Sequence, residues 1–215
     1  MLNTPWNIGL LTVGAVVMPT LTMIAVMMVH EQIVASVEYA VNHDHLTGAL
    51  SRKRFEDVSK RMLAAARATQ PVTLLLIDLD HFKRINDTFG HAGGDEVLRA
   101  FVNMTRNFMR TEDALGRLGG EEFGLMLPAT ALTEAAGLAE SLRAQAEKHV
   151  VAGEFGECRY KISIGIATAV SSETVDRLNA RADRALYLAK NGGRNRVYVN
   201  ESGDAPLIST GAVPA

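Results

Sequence analysis

From Ile8 to Val29 the chain is almost unbrokenly apolar and carries no charge. At about 1.5 Å of rise per residue, a helix of that length covers the ~30 Å hydrocarbon core of a bilayer, so the pattern predicts a membrane helix kinked at Pro19. A signal peptide is disfavoured, because no basic segment precedes the run and no small-residue cleavage site follows it. Between His30 and His43, Val34, Val37 and Val41 recur at spacings of three and four. That stripe predicts a helical linker, either a dimerising helix or an amphipathic segment packed on its own domain.

Past the turn at Leu46-Thr47-Gly48, the face formed by Phe55, Val58, Met62, Ala65 and Ala66 predicts a helix over 51–69 with Ser51 as its N-cap. Residues 72–78 read as a central strand buried on both faces. A short helical turn over 82–89 follows, then a helix over 92–109 with Val97, Leu98, Phe101, Met104 and Phe108 facing inward. Residues 114–118 and 122–127 form a hairpin over Gly119-Gly120, ended by Pro128. A helix over 132–149, a strand over 160–168, a helix over 175–190 stopped by Gly192-Gly193, and a strand over 196–199 complete the series. An antiparallel hairpin set among βα units predicts an α+β sheet. The organisation expected is a membrane segment over 1–29, a linker over 30–43, one domain over 44–200 and a disordered tail over 201–215, small and rich in Pro and Gly.

Composition narrows the function classes. A chain of 215 residues allows one ordinary domain and an appendage. The net charge of −2 gives no basic excess, which argues against a nucleic-acid partner. The single cysteine, Cys158, excludes an internal disulfide and reads as a small buried apolar residue. The first Lys or Arg is Arg52, too far from the apolar run for charge to set its orientation.

The candidate chemistry lies in two places. Residues 119–123 read Gly-Gly-Glu-Glu-Phe, and Asp78 and Asp80 close the apolar strand upstream. Two glycines leave room for a bulky ligand against the backbone. Adjacent glutamates on a strand point to opposite faces, so only one need meet the ligand directly. Carboxylates brought together repel unless a cation sits among them, and oxygen-only ligands suit Mg²⁺ bridging to substrate phosphates. The pair of motifs points to metal-dependent phosphoryl or nucleotidyl transfer. Asp80 fits the role of cap for the helix beginning at Phe82.

Five motifs then occur in order: DHLTGALSRKRF (44–55), LLIDLDHFKRINDTFGHAGGDEVL (75–98), RLGGEEF (117–123), ISIGIA (162–167) and ADRALYLAKNGGRNRV (182–197). In this the chain resembles the GGDEF family, the diguanylate cyclases, with Ala49 and Ser51 standing where that family usually has Leu and Asn. The resemblance implies a ferredoxin-like βαββαβ core of the nucleotidyl-cyclase and polymerase-palm type. It implies condensation of two GTP into cyclic di-GMP with release of two pyrophosphates, in a head-to-tail homodimer. Mg²⁺, with Mn²⁺ as a substitute, would be held by Asp78, the Leu79 carbonyl, Glu121 and Glu122. Glu121 matches a residue proposed to help deprotonate the attacking hydroxyl, although a metal can acidify that hydroxyl alone.

Asn86 and Asp95 match the positions that read guanine. Lys83, Lys190 and Arg194 match phosphate contacts, with the amides of the His81-Phe82-Lys83 turn as an anion nest and Gly119 and Gly120 against the nucleotide. Arg110 and Asp113 form an R-x-x-D at the spacing of the family's product-inhibition site, which takes cyclic di-GMP. The inferred substrate puts the domain on the cytoplasmic side of an inner membrane. The rival reading is a GGDEF domain without turnover that senses a nucleotide.

Overall fold

The computed structural model describes residues 5–66, 69–170, 173–200 and 208–209; within the first helix the side chains of 5–14, 16, 34–38 and 40 are not described, nor are those of 208 and 209. The chain divides into two compact units, Met1–Val41 and Asn42–Ala215.

The first unit belongs to one continuous helix, α1 (Pro5–Asn42), with Pro19 inside it. No break separates the expected span from the expected linker. Met18, Leu21, Met23, Val26 and Met28 are exposed on it. Among the described residues no helix is long and apolar enough to cross a membrane, so the span expected over 8–29 gains no support here. Of the linker stripe, the side chains of Val34 and Val37 lie outside the described residues, and Val41 is exposed.

The second unit runs α2 (Arg52–Ala65), β1 (Thr73–Leu79), α3 (Phe82–Arg106), β2 (Ala114–Arg117), β3 (Glu122–Leu127), α4 (Leu132–Lys148), β4 (Val150–Gly153), β5 (Gly156–Arg159), β6 (Ile162–Thr168), α5 (Val175–Asn191), β7 (Val197–Asn200) and β8 (Ile208–Ser209). Ser51 caps α2 as expected, accepting from the Arg54 amide at 3.4 Å. The main sheet has the order β2-β3-β1-β6-β7-β8. Strand β1 is antiparallel to both β3 and β6, and β7 lies parallel to β6. The first four strands are thus ordered as in a ferredoxin-like βαββαβ core.

Alternation along the fully buried β1 sends its side chains to two separate cores. Leu75, Ile77 and Leu79 join Phe101, Phe123, Leu142 and Tyr160 beneath α3 and α4. Leu74 and Leu76 join Phe55, Met126, Leu178 and Leu186 beneath α2 and α5. A Cβ on Gly165 would stand 2.2 Å from the Ala182 carbonyl and the Leu186 amide, so α5 lies directly on the β6 backbone.

The structure corrects four expectations. The turn at 82–89 and the helix at 92–109 are one element, α3, kinked at Gly90, which adopts φ 73 and ψ 171. A second, two-stranded sheet of β4 and β5 occupies residues 150–159, to which the sequence pattern assigns no element between the helix expected over 132–149 and the strand expected over 160–168. The tail expected to lack structure contributes β8, antiparallel to β7; residues 201–207 and 210–215 lie outside the described residues. Asp80 does not cap α3: the N-cap is His81, in the left-handed conformation with φ 57, and no side chain caps the helix.

Candidate active site

Antiparallel pairing builds the centre of the site. Asp78, the penultimate residue of β1, stands opposite Glu122 in the register, and the Leu79 amide donates to the Glu121 carbonyl at 3.3 Å. The hairpin thereby delivers both glutamates to the end of the central strand. Asp78 is buried, Glu121 half-buried and Glu122 exposed. Burial pushes the Asp78 carboxyl up to about 6; Lys190 opposes the shift, and the neighbouring Glu121 and Glu122 add to it.

Lys190, expected at a phosphate, donates from Nζ to Asp78 Oδ2 at 2.7 Å. Its ammonium supplies positive charge among these acids. Among the described residues no three His, Cys, Asp or Glu side chains group tightly enough to hold a metal. The donor chemistry nonetheless fits Mg²⁺. Asp78 remains hard to ionise even with Lys190 on it, and Mg²⁺ needs only one or two carboxylates beside substrate phosphates.

The turn carrying the glutamates is fixed from outside the motif. Asp44 accepts from the Thr47 amide and hydroxyl and from Arg117 Nη1 at 3.0 Å. Burial pushes the Asp44 carboxyl up, but the Thr47 and Arg117 hydrogen bonds outweigh it and leave its pKa lowered. Arg117 also donates to the Gly120 carbonyl, at 3.1 Å from Nε and 2.7 Å from Nη2. The opening motif therefore holds the glycine turn through Arg117, which the sequence reading did not single out. Neither Gly119 nor Gly120 has a positive φ, and a Cβ on Gly120 would meet nothing within 4 Å. The open space is at Gly120; a Cβ on Gly119 would stand 3.1 Å from Glu122 Oε2.

The kink in α3 brings Asn86 against Gly94, the residue before Asp95. In a straight helix Asn86 and Gly94 would stand about 12 Å apart along the axis. Here a Cβ on Gly94 would lie 1.9 Å from Asn86 Oδ1, so Asn86 occupies the space that Gly94 leaves empty beside Asp95. Gly94 is a site residue that motif reading passed over. Phe82 is buried, whereas Lys83 and His81 are exposed at the uncapped start of α3. An uncapped helix start leaves amide donors free for an anion.

Asp80 has a different task from the expected one. Its carboxylate accepts from Ser163 Oγ at 2.7 Å and from the Asn195 amide at 2.8 Å. Arg194 and Asn195 both hold positive φ, 61 and 47, a costly conformation for residues other than glycine. Asn195 is held further by Arg143 at 3.0 Å and by Glu147 at 2.9 Å. This network fixes the turn that presents the exposed Arg194 beside the start of α3.

Arg110 and Asp113 form an ion pair at 2.9 Å, with Asp113 almost fully buried. Arg110 also donates to the Pro128 carbonyl and to Thr130 Oγ1. The R-x-x-D is thus a satisfied local pair on the side of the sheet that carries β2.

Three comparisons place this arrangement. Residues 41–196 match the family described as "Diguanylate cyclase, GGDEF domain". The chain is 43% identical over 162 residues to the diguanylate cyclase DgcM of Escherichia coli, and 43% identical over 173 residues to the response regulator PleD of Caulobacter vibrioides. These alignments cover 75% of this chain but only 39% and 36% of the relatives, so the chain spans well under half their length. Among solved structures, the GGDEF domain of DgcB from Caulobacter crescentus, in complex with c-di-GMP, superposes with a TM-score of 0.71 at 34% identity, covering 75% of this chain and 94% of that one. The active GGEEF domain of a Vibrio cholerae diguanylate cyclase superposes with a TM-score of 0.66 at 32% identity, covering 71% and 98%. With its palm-type sheet, its Gly-Gly-Glu-Glu-Phe turn opposite Asp78, and a family match over most of its length, this chain belongs to the GGDEF diguanylate cyclase domain family.

Proposed function

We propose that the chain is a diguanylate cyclase that converts two GTP into one cyclic di-GMP and two pyrophosphates. The observation that carries this reading is the convergence at one end of β1: Asp78 opposite Glu122, with Asn86 drawn against Gly94 beside Asp95. In each half-reaction a ribose 3′-oxygen bonds to the α-phosphorus of the other GTP, the bond from that phosphorus to the bridging oxygen breaks, and pyrophosphate leaves. Mg²⁺, held by Asp78, the Leu79 carbonyl and Glu121 or Glu122, would supply charge neutralisation at the phosphates and acidify the hydroxyl.

The chain's own residues do the rest. Asn86 and Asp95 accept and donate along the guanine edge. The Phe82 and Lys83 amides, Lys83 and Arg194 receive the β- and γ-phosphates, and Gly119 and Gly120 leave the backbone clear for the nucleotide. Lys190 exchanges Asp78 for a phosphate when the nucleotide enters. Each domain carries one set of these residues, so the reaction requires two domains head-to-tail. Arg110, released from Asp113, would grip a phosphate of the product and hold the domains apart.

Tethering of this unit to an inner membrane by the apolar segment 8–29, with the domain in the cytoplasm, is a further part of the proposal and rests on the sequence pattern alone. The rival reading, a domain that binds nucleotide without turnover, is favoured by one observation, the occupation of Asp78 by Lys190. One experiment separates them. The Asn42–Ala215 unit contains both hydrophobic cores, so it can be purified alone, incubated with GTP and Mg²⁺, and assayed for cyclic di-GMP. Product formation that disappears in Glu122→Gln supports the cyclase. GTP binding without product establishes the sensor.

A further inference from the structure

The hairpin of β4 and β5 creates a feature that none of the motifs contains. It stands against α3, where Phe155 in its turn meets Phe89 edge-on with ring centroids 5.8 Å apart. Between the hairpin, the first half of α3 and the turn after α5 lies a cavity of about 600 Å³, a size typical of small-molecule sites. Its apolar wall is the half-buried Phe89, with Ile85 buried behind it.

The polar lining is unbalanced. Four cationic side chains and two anionic ones line the cavity, an excess of two positive charges. Both anions are already engaged: Asp80 by Ser163 and Asn195, and Glu147 by Arg143, Lys161 and Asn195. That leaves three guanidinium groups, of Arg84, Arg159 and Arg194, with no ion pair among the described residues. Arginines beside one concave, aromatic-walled surface repel one another unless an anion joins them, and each guanidinium matches a phosphate in two-point geometry. Three arginines merely solvated at the surface would not need to converge on one cavity beside Phe89.

We propose that this cavity binds a phosphate monoester of nucleotide size, with its phosphate on Arg84 and Arg159 and its ring on Phe89. The site lies on the face of α3 carrying residues 81, 84, 85, 88 and 89, away from Asn86. It meets the proposed GTP site only at His81 and Arg194. An occupant that draws Arg194 inward would withdraw a cation from the GTP phosphates, so it would weaken GTP binding. The binding site itself does not depend on the cyclase reading.

The test uses the full chain and adenosine 5′-monophosphate as probe, titrated by calorimetry without GTP and at low ionic strength, with inorganic phosphate as a second probe. Adenine is a poor partner for Asn86 and Asp95, so binding at the guanine-reading site is disfavoured. The expected result is saturable one-to-one binding of the monophosphate, weakened roughly tenfold or more by Arg84→Ala and by Arg159→Ala, since a hydrogen bond to a charged group is worth about that much. Phe89→Leu should weaken the nucleotide and leave inorganic phosphate unchanged. Asp95→Ala should leave both unchanged. The proposal is overturned by absence of saturation at millimolar probe. It is also overturned by binding that survives both arginine substitutions, by binding lost with Asp95→Ala, or by phosphate binding as tightly as the monophosphate.

Discussion

Gly94→Ala tests the kinked-helix account of base recognition. The added Cβ would lie 1.9 Å from Asn86 Oδ1 and 3.0 Å from its Cγ, whereas ordinary contact begins at 3.4 Å. Asn86 must therefore withdraw by roughly 1.5 Å, which exceeds the whole tolerance of a hydrogen bond. The obstacle is the end of a side chain, so rotation of Asn86 relieves it without moving the backbone. Alanine also gains up to about 1 kcal/mol over glycine within a helix, offsetting part of the crowding. The fold should survive while the guanine edge loses one partner. Leaving such a group unpaired costs about 1–3 kcal/mol, or roughly 5- to 150-fold in kcat/KM. The assay is pyrophosphate release from GTP and from ATP by the parent, Gly94→Ala, Asn86→Ala and the double variant. The ratio of GTP to ATP kcat/KM should fall by about the same factor in all three variants, because the two single changes remove one interaction. Relief of crowding in the double variant should restore any lost stability without restoring selectivity. A Gly94→Ala protein that melts like the parent and keeps its preference for GTP refutes the reasoning, as does an additive loss in the double variant.

Other outcomes follow from the same geometry. Asp78→Asn should abolish turnover, yet raise the metal-free melting temperature near pH 7.5. The folded carboxyl titrates near 6 against the usual 3.8, so its ionised form costs the fold up to about 3 kcal/mol, and the advantage of the variant should vanish as pH falls through 6 towards 4; a lower melting temperature at every pH would count against it. Asp80→Ala should raise KM for GTP more than it lowers kcat, because it frees the strained turn bearing Arg194, and should leave GDP binding less affected than GTP binding; equal effects on both nucleotides would assign Asp80 to folding alone. Arg110→Ala should raise the cyclic di-GMP concentration for half-inhibition and cost about 1 kcal/mol of stability, because Asp113 loses its guanidinium partner but keeps the residue 110 amide; an inhibition curve that overlays the parent's would leave only the structural pair. Specific activity of the Asn42–Ala215 unit should rise with enzyme concentration and flatten at a high level when the unit is fused to a parallel coiled coil; constant activity in a protein that sediments as a monomer would exclude the two-domain reaction.

Local order was legible in the sequence wherever one element carries its own signal. The buried run of β1, the hairpin on either side of Gly119-Gly120, the Ser51 cap and the glycine stop after α5 depend on residues within a few positions of one another, and they stand close to where periodicity and cap chemistry put them. Asp78, Glu121 and Glu122 are legible through the order of the motifs and the family resemblance they carry. The hairpin of β4 and β5 escaped because four-residue strands with one half-buried and one buried position in the first carry too little alternation to read. The polar pairings escaped for another reason. Lys190 reaches Asp78 across 112 residues because Gly165 lets α5 lie on the sheet, and Asp80 meets Asn195 across 115 because β1 lies beside β6 and β6 beside β7. Arg117 reaches Asp44 across 73, and Asn86 meets Gly94 only because Gly90 breaks the helix between them. Hydrophobic period is a property of neighbours along the chain. The partner of a buried charge is a property of sheet order and close approach, and those are fixed only when the whole fold has closed.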